Sequence, residues 1–324
     1  MKYAVISDVH GNYPALKAVT EDATDRGITH FIFTGDYCLS GPWVNECIKT
    51  IKAVPEKHII RGNEEKYLED LEGKDQTLWT DGQYQISYWC YKNISRDNLD
   101  YLLNLPHRID VDCNGIRIHI SHHSTDFLGT YPFDTWNSVT VAERSAKKDQ
   151  SPESILSDMS KEREHDKAFL DAVSKLEKGV YIFGHSHVQC SYVDEDKAIY
   201  LINPGSCGLP LDGIRDSVPY TVLEITDDGH VIIEEKRIPF DKTEYVSEVE
   251  NSAQYQEANV WSRVILHEQT TALEHMYFFL AYVEQYACDI GDDKRPYSLE
   301  TWEKAFEIWD QQIWARNTNQ ESKL

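Results

Sequence analysis

Five short apolar runs along this chain each end in residues able to bind a metal ion, and that repetition limits what the chain can fold into. Tyr3-Ala4-Val5-Ile6 leads into Ser7-Asp8-Val9-His10, Phe31-Ile32-Phe33 into Thr34-Gly35-Asp36, and His58-Ile59-Ile60 into Arg61-Gly62-Asn63. Ile116, Ile118 and Ile120 alternate with polar residues before Ser121-His122-His123, and Val180-Tyr181-Ile182-Phe183 runs into Gly184-His185-Ser186-His187. The continuous runs read as strands buried on both faces, the alternating one as a half-buried strand. Helical patterns lie between them. Pro14 opens one that reaches about Asp25, with Gly27 closing it; others cover about residues 43–52, 84–103 and 162–178. Such alternation gives an α/β sheet whose strand C-termini share an edge, so the five strand ends should converge.

Beyond Ser191 the pattern changes to strands joined by turns. Asp194-Glu195-Asp196-Lys197 and Asp227-Asp228-Gly229 each separate two strand-like runs, which suggests hairpins completing a second sheet. After about Asp241 the chain reads as helical. Trp302, Phe306, Trp309 and Ile313 form a stripe suited to helix packing or to a contact between copies of the chain.

Composition narrows the function. With 41% apolar and 27% charged residues over 324 positions, the chain is globular, with room for one large domain and an appendage. No apolar run approaches the roughly 20 residues of a membrane helix, and the N-terminus lacks a signal-peptide pattern. Seven scattered cysteines without CxxC spacing fit reduced thiols, so a cytoplasmic location is expected. A net charge of −23 argues against broad nucleic-acid or anionic-membrane binding. An acidic chain that handles anionic phosphates must carry its positive charge locally, and bound metal would supply it.

The donor set fits that role. Asp8 and His10 are two residues apart, as are His185 and His187, and in extended backbone such pairs point the same way. Asp36 can bridge two ions through its two oxygens, while Asn63 adds a neutral carbonyl and His122 an imidazole. Oxygen and nitrogen donors suit Mn, Fe, Co, Ni or Zn. One Asp or His after a strand is more often a turn or cap residue than a ligand, but five such ends together indicate a metal site.

At these residues the chain resembles the calcineurin-like metallophosphoesterases. Asp8-Val9-His10, Gly35-Asp36, Gly62-Asn63, His122 and Gly184-His185-Ser186-His187 match the family motifs in order. Ser7-Asp8-Val9-His10-Gly11-Asn12 with Pro14-Ala15-Leu16, Gly41-Pro42 with Asn45-Glu46, and Asn203-Pro204-Gly205-Ser206 look like a bacterial branch. That branch includes phosphodiesterases and asymmetric diadenosine tetraphosphate hydrolases. The resemblance implies a four-layer αββα sandwich of two mixed sheets over residues 1–240, and the helical extension over 241–324 lies outside it. It implies two divalent ions, manganese first, with iron, nickel, cobalt or zinc as alternatives. Asp8, His10, Asp36 and His187 would hold one, and Asp36, Asn63, His122 and His185 the other. A bridging hydroxide would attack phosphorus in line with the leaving group. The expected partner is a small phosphate ester or nucleotide, and the expected reaction is cleavage of a phosphodiester or phosphoanhydride. A dinucleoside polyphosphate hydrolase, a phosphomonoesterase and a catalytically silent protein-binding scaffold are the alternatives.

Two departures stand out. Gly62-Asn63-Glu64-Glu65 replaces the usual Gly-Asn-His-Asp, so Glu64 stands where a leaving-group acid is expected. Residues 124–160, with Phe127, Tyr131, Phe133 and Trp136, look like an insertion that caps the site. Asn12, Arg61 and His123 are candidate substrate contacts, and His123 a further candidate for catalysis. The bland readings are that Arg61 pairs with an acidic neighbour and that His123 fills a position often occupied by Gly.

Overall fold

In the computed structural model, which describes residues 1–129, 134–147 and 150–321, ten strands form two five-stranded mixed sheets. The first sheet has the order β10-β9-β1-β2-β3, built from β1 (Lys2–Ile6), β2 (His30–Phe33), β3 (Glu56–Ile59), β9 (Ser217–Ile225) and β10 (Val231–Pro239). Strands β1, β2 and β3 are parallel, and β9 and β10 add an antiparallel hairpin beside β1. The second sheet has the order β4-β5-β6-β8-β7, from β4 (Arg108–Cys113), β5 (Ile116–Ser121), β6 (Gly179–Ile182), β7 (Cys190–Asp194) and β8 (Ile199–Asn203). Here β5, β6 and β8 are parallel.

Side-chain alternation builds the layers. Tyr3 and Val5 of β1, Ile32 of β2, Val180 and Ile182 of β6, and Ile202 of β8 share one core between the sheets. Their neighbours Ala4, Ile6, Phe31 and Phe33 face the other way, onto α1 (Tyr13–Asp25), α2 (Val44–Ala53), α4 (Gln85–Asn93) and α5 (Arg96–Leu103). Tyr181, Phe183 and Leu201 pack on the far side of the second sheet against Phe169 of α9 (Lys167–Val173) and Trp136. Strands read as two-sided apolar runs thus become the inner layers of a helix-sheet-sheet-helix sandwich.

Several expectations are corrected. The two hairpins do not both complete the second sheet: β7 and β8 join it, whereas β9 and β10 extend the first. Strand β3 is an edge strand and only partly buried, because no strand covers its outer side. The helix expected over 84–103 breaks at Ile94, where the backbone is extended and the Ser95 hydroxyl caps α5 by accepting from Asn98 N. The helix expected over 162–178 is two: α8 (Pro152–Arg163), and α9, capped by the Asp166 carboxylate.

The C-terminal residues form α10 (Lys242–Glu250), α11 (Ala253–Glu257), α12 (Asn259–Thr271), α13 (Met276–Ile290) and α14 (Leu299–Glu321). Trp302, Phe306 and Trp309 are buried against Phe279, Val283 and Val264, with Leu209 and Leu211 from the loop after β8 in the same core. The aromatic stripe is therefore consumed within the chain, with Ile313 lying outside the described side chains. No described helix is long and apolar enough to cross a membrane.

Candidate metal centre

The five strand ends meet where the C-terminal edges of the two sheets face each other. Backbone hydrogen bonds tie them together: Asp8 N donates to Gly35 O, His10 N to Asp36 O, and Gly184 N to His122 O. His185 N donates to the Asp8 carboxylate. The approach is close enough that a Cβ on Gly62 would lie 2.2 Å from Asp36 Oδ1, and one on Gly184 1.9 Å from Ser7 Oγ. Only glycine fits there.

The paired ligands are not extended, as the sequence reading supposed. Asp8, His10, Asp36, His185 and His187 have φ between 50° and 68°. Nine non-glycine residues among those described are left-handed, and five of them are these candidates. That conformation costs a non-glycine residue about 1–2 kcal/mol and persists only where surroundings enforce it. It turns side chains two residues apart into the same gap.

Three donor groups form a continuous array, with the atoms of each group all within 4.8 Å of one another: Asp8, His10 and His187; Asp8, Asp36 and His122; His122, His123 and His185. His122 donates through Nδ1 to Thr34 O at 2.7 Å, which leaves Nε2 facing Asp36 Oδ2 and Asn63 Oδ1, each at 3.1 Å. Across the gap the Nε2 atoms of His10 and His187 are 2.9 Å apart, with the buried Asp8 carboxylate 3.4 Å from His187. Two imidazole nitrogens and buried carboxylates turned onto one point are a donor set that suits divalent cations.

The electrostatics agree. Burial opposes a charged His122, yet Asp36 and Asp8 outweigh it and push it up to about 10. Asp36 is held down at about 2 although burial opposes its ionisation, because the His122 imidazolium faces it. Burial and the neighbouring His122 and His123 lower His185 to about 4. Without ions, opposed charges and neutral imidazoles hold the cavity together.

The remaining candidates divide. Glu64 is buried, and Oε1 lies 3.0 Å from His10 Nδ1. It therefore backs a candidate ligand instead of facing the mouth of the site. Burial, then Asp36, Glu65 and Asp8, push its carboxyl well above the usual range. His123 is half-buried, its ring centroid 4.2 Å from that of His185. Asn12 is fully buried and spends its side chain on the fold, accepting from Ala15 N at the start of α1 and donating to Gly208 O. Arg61 turns away to His107 and Glu69, the bland reading given above.

Other residues that build the site escaped the sequence reading. Glu65, in α3 (Asn63–Glu69), accepts from the backbone N–H groups of Asp36, Tyr37 and Gly62, locking two site loops together. Its position three residues past Gly62 was the available capping signal. Gln254 of α11 donates to Leu39 O and Gly41 O, and Gln269 of α12 to Gly208 O. Gly41 N in turn donates to His10 O, and Gly208 N to Asp8 O. The helical extension thus braces the loops carrying Asp8 and His10, a tertiary relation that no local pattern announces. Tyr67, one turn after Asn63, is 49% exposed.

The calcineurin-like phosphoesterase superfamily domain model matches residues 1–228. The chain belongs to that superfamily. Its phosphoesterase membership makes it a hydrolase, and the family's dependence on metal fits the donor array. An uncharacterised protein of Methanocaldococcus jannaschii is 28% identical over 264 residues, spanning 76% of this chain and 92% of its own length. In fold, this phosphoesterase is similar to a metallophosphoesterase from Sphaerobacter thermophilus, with a TM-score of 0.57 and 20% identity over 84% of this chain and 100% of that one. A hypothetical protein from Pyrococcus horikoshii gives 0.55 and 16% identity, over 82% and 97% of the two chains.

The 124–160 segment of this phosphoesterase starts beside His122 and His123. Asp126 N donates to His123 O as α6 (Thr125–Leu128) begins, and Val141, Ile155 and Met159 pack on Val188, the residue after His187. Trp136 is buried on Phe169 and Phe183, so it is core and not a stacking platform. Tyr131 and Phe133 lie outside the described residues.

Proposed function

We propose that this phosphoesterase hydrolyses phosphodiester or phosphoanhydride bonds with two divalent ions. Asp8, His10, Asp36 and His187 would hold the first, and Asp36, Asn63, His122 and His185 the second. The observation that carries the reading is the convergence of five left-handed candidates, buried Asp8 and Asp36 among them. When bound, the ions would polarise the phosphoryl group and supply an activated water. Asp36, grouped with Asp8 and His122, would be shared.

A diester or anhydride preference follows from charge. Arg61 is turned away to His107 and Glu69, so the protein supplies little beyond the ions to neutralise a monoester dianion. Tyr67 offers a ring and a hydroxyl beside Asn63 to a substrate's leaving portion. The 124–160 segment, anchored at His123 and Val188, would form one wall of the cleft. The seven free cysteines support a reducing compartment such as the cytoplasm. The test is metal analysis of the purified chain, followed by a panel of bis(p-nitrophenyl) phosphate, p-nitrophenyl phosphate and diadenosine tetraphosphate with Mn²⁺. Diester or anhydride turnover above monoester turnover is expected. A chain that binds no metal and cleaves none of them refutes the proposal.

A further inference from the structure

We propose that His123 is a third imidazole ligand at the second metal centre, beside His122 and His185, so that this centre prefers zinc-like ions to manganese. The inference rests on the metal reading above and adds a ligand to it. The donor atoms of His122, His123 and His185 all lie within 4.8 Å of one another, as do those of each Asp8-containing group.

Ring geometry supports a shared ion. His123 stands nearly perpendicular to both neighbours, at 79° to His122 and 69° to His185, and those two are themselves at 69°. Three imidazoles radiating from one point adopt such mutual angles. His123 is also nearer to His185 than His122 is, with ring centroids 4.2 Å and 5.3 Å apart. It belongs to the cluster as fully as the ligand expected there.

The backbone holds it in place. His123 O accepts from Asp126 N at the first turn of α6, and Leu128 of that turn is buried on the outer face of the second sheet. The insertion therefore fixes the imidazole at the cleft edge.

The consequence is an asymmetric pair of sites. The first would offer two carboxylates and two imidazoles. The second would offer three imidazoles with the Asp36 carboxylate and the Asn63 carbonyl. Nitrogen-rich sets favour zinc, cobalt and nickel over manganese, whereas oxygen-rich sets accept manganese readily.

The test is calorimetric titration of the metal-stripped full chain with Zn²⁺ and, separately, Mn²⁺. It compares the natural protein with His123→Ala, His123→Gln and, as a control, His122→Ala. The natural protein should bind two zinc ions. Both His123 variants should lose about tenfold or more in zinc affinity at one site only, with a smaller loss for manganese. A zinc-soaked crystal should show His123 nitrogen about 2.0–2.1 Å from the second ion. If two zinc ions bind and both His123 variants keep both affinities, the inference is overturned while the metal reading stands. If the natural protein binds no zinc or manganese, both fall.

Discussion

Glu64 Oε1 lies 3.0 Å from His10 Nδ1, so the carboxyl group after Asn63 supports a candidate ligand from behind. A carboxylate on the far nitrogen of a ligating imidazole fixes the ring's orientation and raises its basicity, and losing one typically costs 10–100-fold in metal affinity. Glu64→Ala should weaken Mn²⁺ binding at the first centre by about that factor, and Glu64→Gln, which keeps an acceptor, by less. Titration of the stripped variants reads this directly. Unchanged affinity in Glu64→Ala would show that the contact is incidental.

Asp36 should tolerate amidation structurally but not chemically. Its Oδ1 accepts from Glu64 N at 2.9 Å, and its φ of 56° is one that asparagine adopts readily. Asp36→Asn should fold normally yet lose metal, with turnover down by ~10²-fold or more. Asp36→Ala also strands the Glu64 N–H and should cost about 1–3 kcal/mol of stability. Thermal melts and metal content separate the two effects. A fully active Asp36→Asn enzyme would exclude the shared-ligand role.

The sequence displayed the strand ends because buried parallel strands are apolar along their length and stop abruptly at polar ligands. Asp8, His10, Asp36, Asn63, His122, His185 and His187 were readable for that reason, and all are brought to one gap. The backbone conformation that aims them was not readable, since a left-handed Asp or His looks in sequence like an extended one. The hairpins were visible, but their sheets were not: β9 joins β1 through pairing across more than 200 residues. The contacts that turn Arg61 and Asn12 to structural roles include His107 and Gly208, which distant segments contribute.

Gln254 and Gln269 make the helical extension part of the working domain. Both are buried, and their amide groups satisfy carbonyls in the loops that follow Asp36 and precede Gly213. Replacing Gln254 with leucine leaves the buried carbonyls of Leu39 and Gly41 without this donor, at about 1–3 kcal/mol each, whereas replacing Gln269 leaves Gly208 O the Asn12 amide and should cost less. Gln254→Leu and Gln269→Leu should therefore melt earlier and bind metal more weakly, although neither touches an ion. A chain ending at residue 240 would expose Leu209 and Leu211, which now pack on the extension, and should not fold stably. A soluble, metal-binding truncation would show instead that the extension is dispensable.

Metal binding and stability should respond oppositely to pH. In the ion-free protein His122 is pushed up to about 10, so at neutral pH it holds a proton on the nitrogen facing Asp36 and Asn63. An ion at the second centre must displace that proton, whereas His185, lowered to about 4, has none to release. Calorimetry at pH 7 in buffers of different ionisation enthalpy should therefore show close to one proton released on filling this centre. Its apparent affinity should rise up to tenfold per pH unit and level off near pH 10. The sign reverses for stability of the stripped protein. A histidine raised from 6.5 to about 10 stabilises the fold fully below pH 6.5, and that contribution disappears as pH rises through about 10. The raised carboxyls of Glu64 and Glu65 act in the same direction. The stripped protein should lose thermal stability between pH 6.5 and 10, while the stabilisation conferred by saturating metal grows. In His122→Ala the proton release should vanish. If the natural protein releases no proton on metal binding, His122 is neutral before the ion arrives, and its ion pair with Asp36 does not form in solution.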